Sequence, residues 1–400
     1  MYLGTATGSQ VLLPSSDLTT HAVVLGRTGS GKTGLVSVLV EEAVSEGAAA
    51  IVFDPKGDLA NLAIRPAEDQ HLRDWGGDMA HWDSLARFGY SKLHAAHWRA
   101  RCKIDVYTPG GPKPVNVFPT FAPPACPSQE MAARDIGLML TAIRGKAKSD
   151  DMSDLAMTRA LLAHWTRGIA FPIREWPHYL SEGLFEDKFH QDFFGKKQRM
   201  TLAKTILRFL HESGRWVAGP SLDPAAIVAE HRVVILSMRH LDEEARQTFT
   251  SAALARVVDY MGKAPSSSGL KLMVVLDEAR GYLPPHPANP PAKGPICTLL
   301  AQGRASGIGL VIGTQNPMDL DYKALSNVGT WFVGRLRARD CARDLLSELR
   351  DRGVEADAVE NQPERGFLLL PKSGEKKILS TRHALSLLRG PMTPEEIARL

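Results

Sequence analysis

The run GRTGSGKT at 26–33 lies between an apolar stretch, HAVVLG (21–26), and a segment with Leu35, Val36, Leu39, Val40, Ala43 and Val44 at helical spacing. A glycine-rich loop that leaves a buried strand and opens a helix is the context the P-loop pattern requires. Gly26, Gly29 and Gly31 let the backbone wrap closely around phosphates, while backbone N–H groups and the helix N-terminus supply positive potential. The expected nucleotide-binding residues are therefore Gly26, Arg27, Thr28, Gly29, Ser30, Gly31, Lys32, Thr33 and Gly34. Lys32 is expected to reach the β/γ-phosphates of ATP and Thr33 to ligand Mg²⁺. An accidental glycine-rich turn is the bland alternative, and the flanking strand and helix argue against it.

The rest of the chain reads as a β–α series. AAIVFD (49–54), KIDVYT (103–108), RVVILS (232–237), KLMVVLD (271–277), GLVIGT (309–314) and TWFVG (330–334) are short apolar runs with little polar alternation. Such runs suit parallel strands buried on both faces. The fold class expected is α/β, with a mainly parallel, helix-covered sheet. From about Phe121 to Ala229 the strand signal fades. A proline-rich passage, FPTFAPPACP, is followed by QEMAARDIGLMLTAIRG, DDMSDLAMTRALLAHWTRGI and a helical run around Met200–Leu210. The expected organisation is a core in two parts, 1–120 and 230–400, with an inserted all-α subdomain at 121–229.

Two further strand ends carry chemistry. LMVVLDEA (272–279) ends in adjacent carboxylates. Asp277 is placed to hold the Mg²⁺ hydration shell and Glu278 to orient or deprotonate the attacking water. GLVIGTQNP (309–317) ends in Thr314 and Gln315, and an amide there can sense the γ-phosphate or hold the water. In sheets of this type the sensor strand lies between the P-loop strand and the acidic strand. Taken singly, a DE pair or a Gln before Pro317 reads as a solvated turn. Together with the P-loop, all three fall at C-terminal strand ends, where open α/β sheets bind ligands.

Bulk properties are permissive. With 400 residues, 44% hydrophobic and 23% charged, the chain can bury a sizeable core. A net charge of +4 allows a polyanionic partner without requiring one. Cys102, Cys126, Cys297 and Cys341 lie too far apart for a disulfide framework or a zinc ribbon. No apolar run approaches the ~20 residues of a membrane span, and the start shows no signal peptide, so a soluble, cytoplasmic protein is expected. His94 and His97, with His81 and Cys102 nearby, match no zinc spacing. GKKQRM (195–200), with Lys204 and Arg208, reads as a solvated basic face or a phosphate contact.

GRTGSGKT, FDPKGD (53–58), LDEARGYLPP (276–285), the long run at 302–336 and RHALSLLRGPMT (382–393) together resemble the HerA/FtsK superfamily, most closely bacterial HerA-like ATPases. The resemblance implies a RecA-like core, a homo-hexameric ring, translocation on or unwinding of DNA, and a nuclease or other effector as partner. It places Asp54 at a strand end near the γ-phosphate. It also implies an arginine finger from a neighbouring subunit, for which Arg304 is the matching position and Arg335 the runner-up. Two other readings stay open: a coupling ATPase of conjugation or type IV secretion, and a ring-forming, ATP-dependent module that regulates a partner enzyme.

Overall fold

The computed structural model describes all of the chain except residues 145–149, 185–192, 316–319, 337–348, 351–352, 355–359, 361 and 373. The strands are β1 (Tyr2–Ala6), β2 (Ser9–Leu12), β3 (Ala22–Leu25), β4 (Ala49–Asp54), β5 (Ile104–Tyr107) and β6 (Val233–Ser237). They continue as β7 (Ser267–Leu276), β8 (Ser306–Thr314), β9 (Thr330–Val333), β10 (Gly366–Leu370) and β11 (Lys377–Thr381). All eleven form one sheet in the order β2-β1-β11-β10-β9-β3-β8-β7-β4-β6-β5.

From β9 to β5 every pairing is parallel, and these seven strands are the apolar runs that the sequence marks. β3, β4, β6, β8 and β9 are buried at every residue, as strands covered on both faces must be. The sensor strand β8 lies between the P-loop strand β3 and the acidic strand β7. Beyond β9 the sheet turns antiparallel through β10, β11, β1 and β2. Those four strands are an addition to what the sequence suggests.

Helix Lys32–Ser45 follows β3 and buries Leu35, Val36, Val38, Leu39, Val40 and Ala43 completely. It packs into a core with Leu3, Leu59, Leu62, Phe332 and Phe367. Two compact units are distinguished, one of residues 1–108 and 223–400 and one of residues 109–222. The second contains helices Gln129–Arg144, Asp151–Thr166, Trp176–Glu182 and Lys196–Ser213. Among its described residues the extended pairing is a single bridge, Asn116 with Ser221. The passage FPTFAPPACP lies inside this unit, where Phe121 is buried and its carbonyl accepts the Trp165 indole N–H at 3.1 Å.

Candidate active site

Register brings the chemistry to one edge. Leu25 pairs with Thr314 and Val333, while Leu276 pairs with Ile312 and Phe53. Gly26, Asp54, Asp277 and Gln315 therefore leave the sheet together at its C-terminal edge, the expected ligand-binding edge of an open α/β sheet.

Gly31 is the N-cap of helix Lys32–Ser45, with φ 94° and no side chain capping the helix. That left-handed conformation costs a residue bearing a Cβ energy that glycine avoids. Its position is also closed to a side chain, because an added Cβ would lie 3.1 Å from Arg365 Cα. The first-turn N–H groups of the helix thus remain for an outside anion. The Lys32 ammonium donates to the Gly26 and Arg27 carbonyls at 2.6 and 3.3 Å. Burial lowers the Lys32 pKa, and the Glu278 and Asp277 carboxylates oppose that shift. Ser30 Oγ is buried and, among the described residues, has no hydrogen-bond partner. An uncapped helix end, a lysine bonded to carbonyls of its own loop and an orphaned hydroxyl fit a phosphate chain.

Asp277 is 3% exposed, and its carboxyl is pushed up to about 6, first by burial and then by the charge of Glu278. A buried carboxyl beside a second carboxylate resists ionising, and a divalent cation relieves that repulsion. A Mg²⁺ ion beside Asp277, with Thr33 as the further ligand the sequence suggests, would neutralise charge on the phosphates.

Glu278 has φ 50°, the left-handed region for a non-glycine residue, a conformation costing ~1–3 kcal/mol. Its side chain ends a chain of polar contacts. The Thr28 hydroxyl donates to Gln315 Oε1 at 2.5 Å. The Gln315 amide in turn donates to Glu278 Oε1. Lys56 Nζ donates to the same carboxylate oxygen at 2.6 Å. P-loop, sensor strand and acidic strand are thereby joined by direct contacts. A cleft of about 600 Å³ opens beside them, lined by Lys56, Arg246, Glu278, Tyr282 and Gln315 among others.

Asp54 ends β4 but keeps no exposed atom for a ligand. Its Oδ1 accepts the Gly57 N–H and its Oδ2 the Ala60 N–H, both at 2.8 Å. Burial, then the charge of Asp277, pushes this carboxyl up to about 7. Its visible work is to shape the loop that carries Lys56. Arg304 is exposed in the turn Gly303–Ala305 that enters β8, at the opposite end of that strand from Gln315. The Arg335 carbonyl accepts the Arg27 N–H at 3.1 Å, so this arginine lies beside its own P-loop.

Two contributors were missed in the sequence. Lys56 sits in FDPKGD, two residues past Asp54, and its sequence context marks no role for it. Arg365, with φ 60°, backs the P-loop by donating its N–H to Ser30 O at 3.1 Å, and nothing in its sequence context marks it. Among the described residues no three His, Cys, Asp or Glu gather as a metal site. His94 instead accepts the Ser91 N–H at 3.1 Å and caps its helix. Cys102, Cys126 and Cys297 are free thiols, while Cys341, Asn316 and Pro317 lie outside the described residues.

Residues 1–257 match the family model described as the central domain of helicase HerA. Among solved structures the chain is similar to the bacterial conjugative coupling protein TrwB lacking its N-terminal 70 residues, with TM-score 0.61 and 15% identity over 98% of this chain and 91% of that one. It is similar to VirB4 of Thermoanaerobacter pseudethanolicus, with TM-score 0.59 and 13% identity over 96% of each chain. A TrwB complex with ADP and Mg²⁺ gives TM-score 0.59 and 15% identity over 98% of this chain and 92% of that one. No curated protein matches the chain in sequence.

Proposed function

Because the chain belongs to the family of the HerA helicase central domain, we propose that it is an ATP-hydrolysing motor that assembles as a hexamer and translocates on or unwinds DNA. The observation that carries this reading is the contact chain Thr28–Gln315–Glu278–Lys56, which links the phosphate-binding loop to the acidic strand through the sensor strand. In the proposed cycle Lys32 and the P-loop N–H groups bind the phosphates of ATP, and Thr33 and Asp277 would hold Mg²⁺. Glu278 takes the proton of the attacking water. Gln315 bonds both Thr28 and Glu278, so a phosphate that displaces Thr28 reorients the base. Arg304 from a neighbouring subunit offsets charge on the γ-phosphate. A cytoplasmic setting and a nuclease or other effector partner belong to the same proposal.

The test is steady-state hydrolysis with and without DNA over a salt series. Stimulation by DNA that weakens as salt rises is expected of a motor gripping phosphates. Lys32→Ala should lose tight ATP binding, whereas Glu278→Gln should bind ATP and lose turnover. Near wild-type hydrolysis by Glu278→Gln would remove the base from the scheme.

A second reading, the coupling ATPase of a conjugation or secretion system, draws support from the likeness to TrwB across 98% of the chain. Among the described residues no helix is long and apolar enough to cross a membrane. Turnover that ignores DNA but responds to a protein partner would favour an assembly module over either motor.

A further inference from the structure

Three features fix the loop after β4 more tightly than a surface turn requires. Asp54 binds two of its N–H groups with two carboxylate oxygens. The Met392 N–H, from the segment RGPMT, donates to the Gly57 carbonyl at 3.0 Å. The Asn61 amide spans from the Asp58 carbonyl, at 2.8 Å, to that of Gly390, at 2.7 Å. The loop therefore holds Lys56 at a set place, with its ammonium 2.6 Å from Glu278 Oε1.

That oxygen is shared, since the Gln315 amide donates to it as well. Among the described residues Glu278 Oε2 has no hydrogen-bonded partner. A carboxylate anchored through one oxygen by two donors from different elements has a defined orientation, and its other oxygen stays available as a proton acceptor. We propose that Lys56 is a positioning residue for hydrolysis, holding Glu278 Oε1 together with Gln315 so that Oε2 faces the water to be deprotonated. The proposal rests on Glu278 being the base. It gives the lysine of FDPKGD a task, and it makes RGPMT the outer support of that task.

The Lys56 side chain is 42% exposed and that of Glu278 17%. The lysine end of the pair is open to water, and an ion pair with an exposed partner adds little to folding stability. Replacing the lysine should therefore leave the fold intact and show its effect in turnover alone.

The experiment compares wild type, Lys56→Met, Lys56→Arg and Glu278→Gln by ATP hydrolysis, by equilibrium binding of a fluorescent ATP analogue and by thermal unfolding. Lys56→Met is expected to lower kcat at least tenfold, with nucleotide affinity and KM within about threefold of wild type and an unchanged unfolding temperature. Lys56→Arg, which restores a cationic donor, should recover a measurable part of kcat. In the double variant Lys56→Met/Glu278→Gln, the lysine change should cost nothing further. If Glu278→Gln is inactive while Lys56→Met turns over within threefold of wild type, the positioning role is overturned and the base stands. If Glu278→Gln itself hydrolyses ATP, the underlying assignment fails instead. A loss in Lys56→Met that appears as weaker nucleotide binding at constant kcat would also overturn the proposal, because it would place the lysine on the nucleotide.

Discussion

At the scale of single residues the site is defined by close approaches. Gly313, near the end of β8, is an example, because an added Cβ would lie 2.8 Å from Asp277 Oδ1. The strand there is fully buried, so a Cβ at this position can be fitted only if the Asp277 carboxylate shifts. Gly313→Ala should push the Asp277 carboxylate aside, raise the Mg²⁺ concentration for half-maximal hydrolysis about tenfold or more, and destabilise the fold by ~1–3 kcal/mol through overpacking. A Mg²⁺ titration of hydrolysis beside a urea melt reads both, and an unshifted Mg²⁺ dependence would separate Asp277 from the metal. The sequence makes Asp277, Glu278 and Gln315 legible because each ends a recognisable apolar strand. It hides Lys56 and Arg365, whose importance comes from where distant loops fold back. The positive φ of Glu278 and Arg365 has no signature either, since both residue types are ordinary in turns.

At the scale of elements, burial explains what could be read and what could not. The seven parallel strands announce themselves because both faces are apolar. β2 and β11 expose most of their residues, and their four or five positions give too little periodicity to separate them from loops. The helix after the P-loop carries its apolar residues at helical spacing, yet Glu41 within it is fully buried as well. Its carboxylate accepts from the Arg382 guanidinium at 3.0 Å and from the Leu385 and Ser386 N–H groups. Arg382, also fully buried, donates to Glu42 at 2.8 Å as well. The run RHALSLLRGPMT is thus an anchor for the P-loop helix, which no local pattern reveals. Arg382→Met should cost ~3–5 kcal/mol in a urea melt by leaving buried carboxylates unpaired. Arg382→Lys should recover less than half, because an ammonium lacks the planar fork. His21 joins the other end of β3 to its neighbours: its Nε2–H donates to Leu300 O and its Nδ1 accepts the Leu310 N–H, both at 3.1 Å. Burial pushes its pKa down to about 4 from an ordinary 6.5. The stability this neutral ring contributes is complete above pH 6.5 and is lost as pH falls toward 4, on the order of 3 kcal/mol over that window. His21→Gln should flatten stability between those pH values, as followed by urea melts at half-unit steps.

At the scale of the whole molecule the question is what one chain cannot supply to itself. Arg304 lies two residues ahead of β8, whose nine residues lead to the site edge. At ~3.3 Å per residue the strand sets it about 30 Å from the end that carries Gln315, beyond the reach of one side chain. It is exposed, and it lies on an open shelf with Ser266, Ser267 and Gln302. Arg335, by contrast, is built into its own P-loop surroundings through the bond from Arg27 to its carbonyl. Exposure together with distance from its own nucleotide is what an arginine acting across a subunit boundary needs, and it favours Arg304 of the two. A guanidinium stays charged and can bond phosphate oxygens in pairs. Supplied in trans, such a group accelerates phosphoryl transfer by roughly 10³–10⁵ in other systems. Arg304→Ala should therefore keep nucleotide affinity within a few-fold of wild type and lose most hydrolysis. Lys32→Ala should be inactive for the separate reason that its own P-loop fails. Mixed under conditions where labelled subunits are seen to exchange, the two inactive variants should regain part of the wild-type rate. The active interfaces would pair an intact P-loop on one subunit with an intact Arg304 on the next, and recovery should peak at intermediate mixing ratios. Exchange without recovery at any ratio would exclude Arg304 as a group acting in trans and turn the test to Arg335.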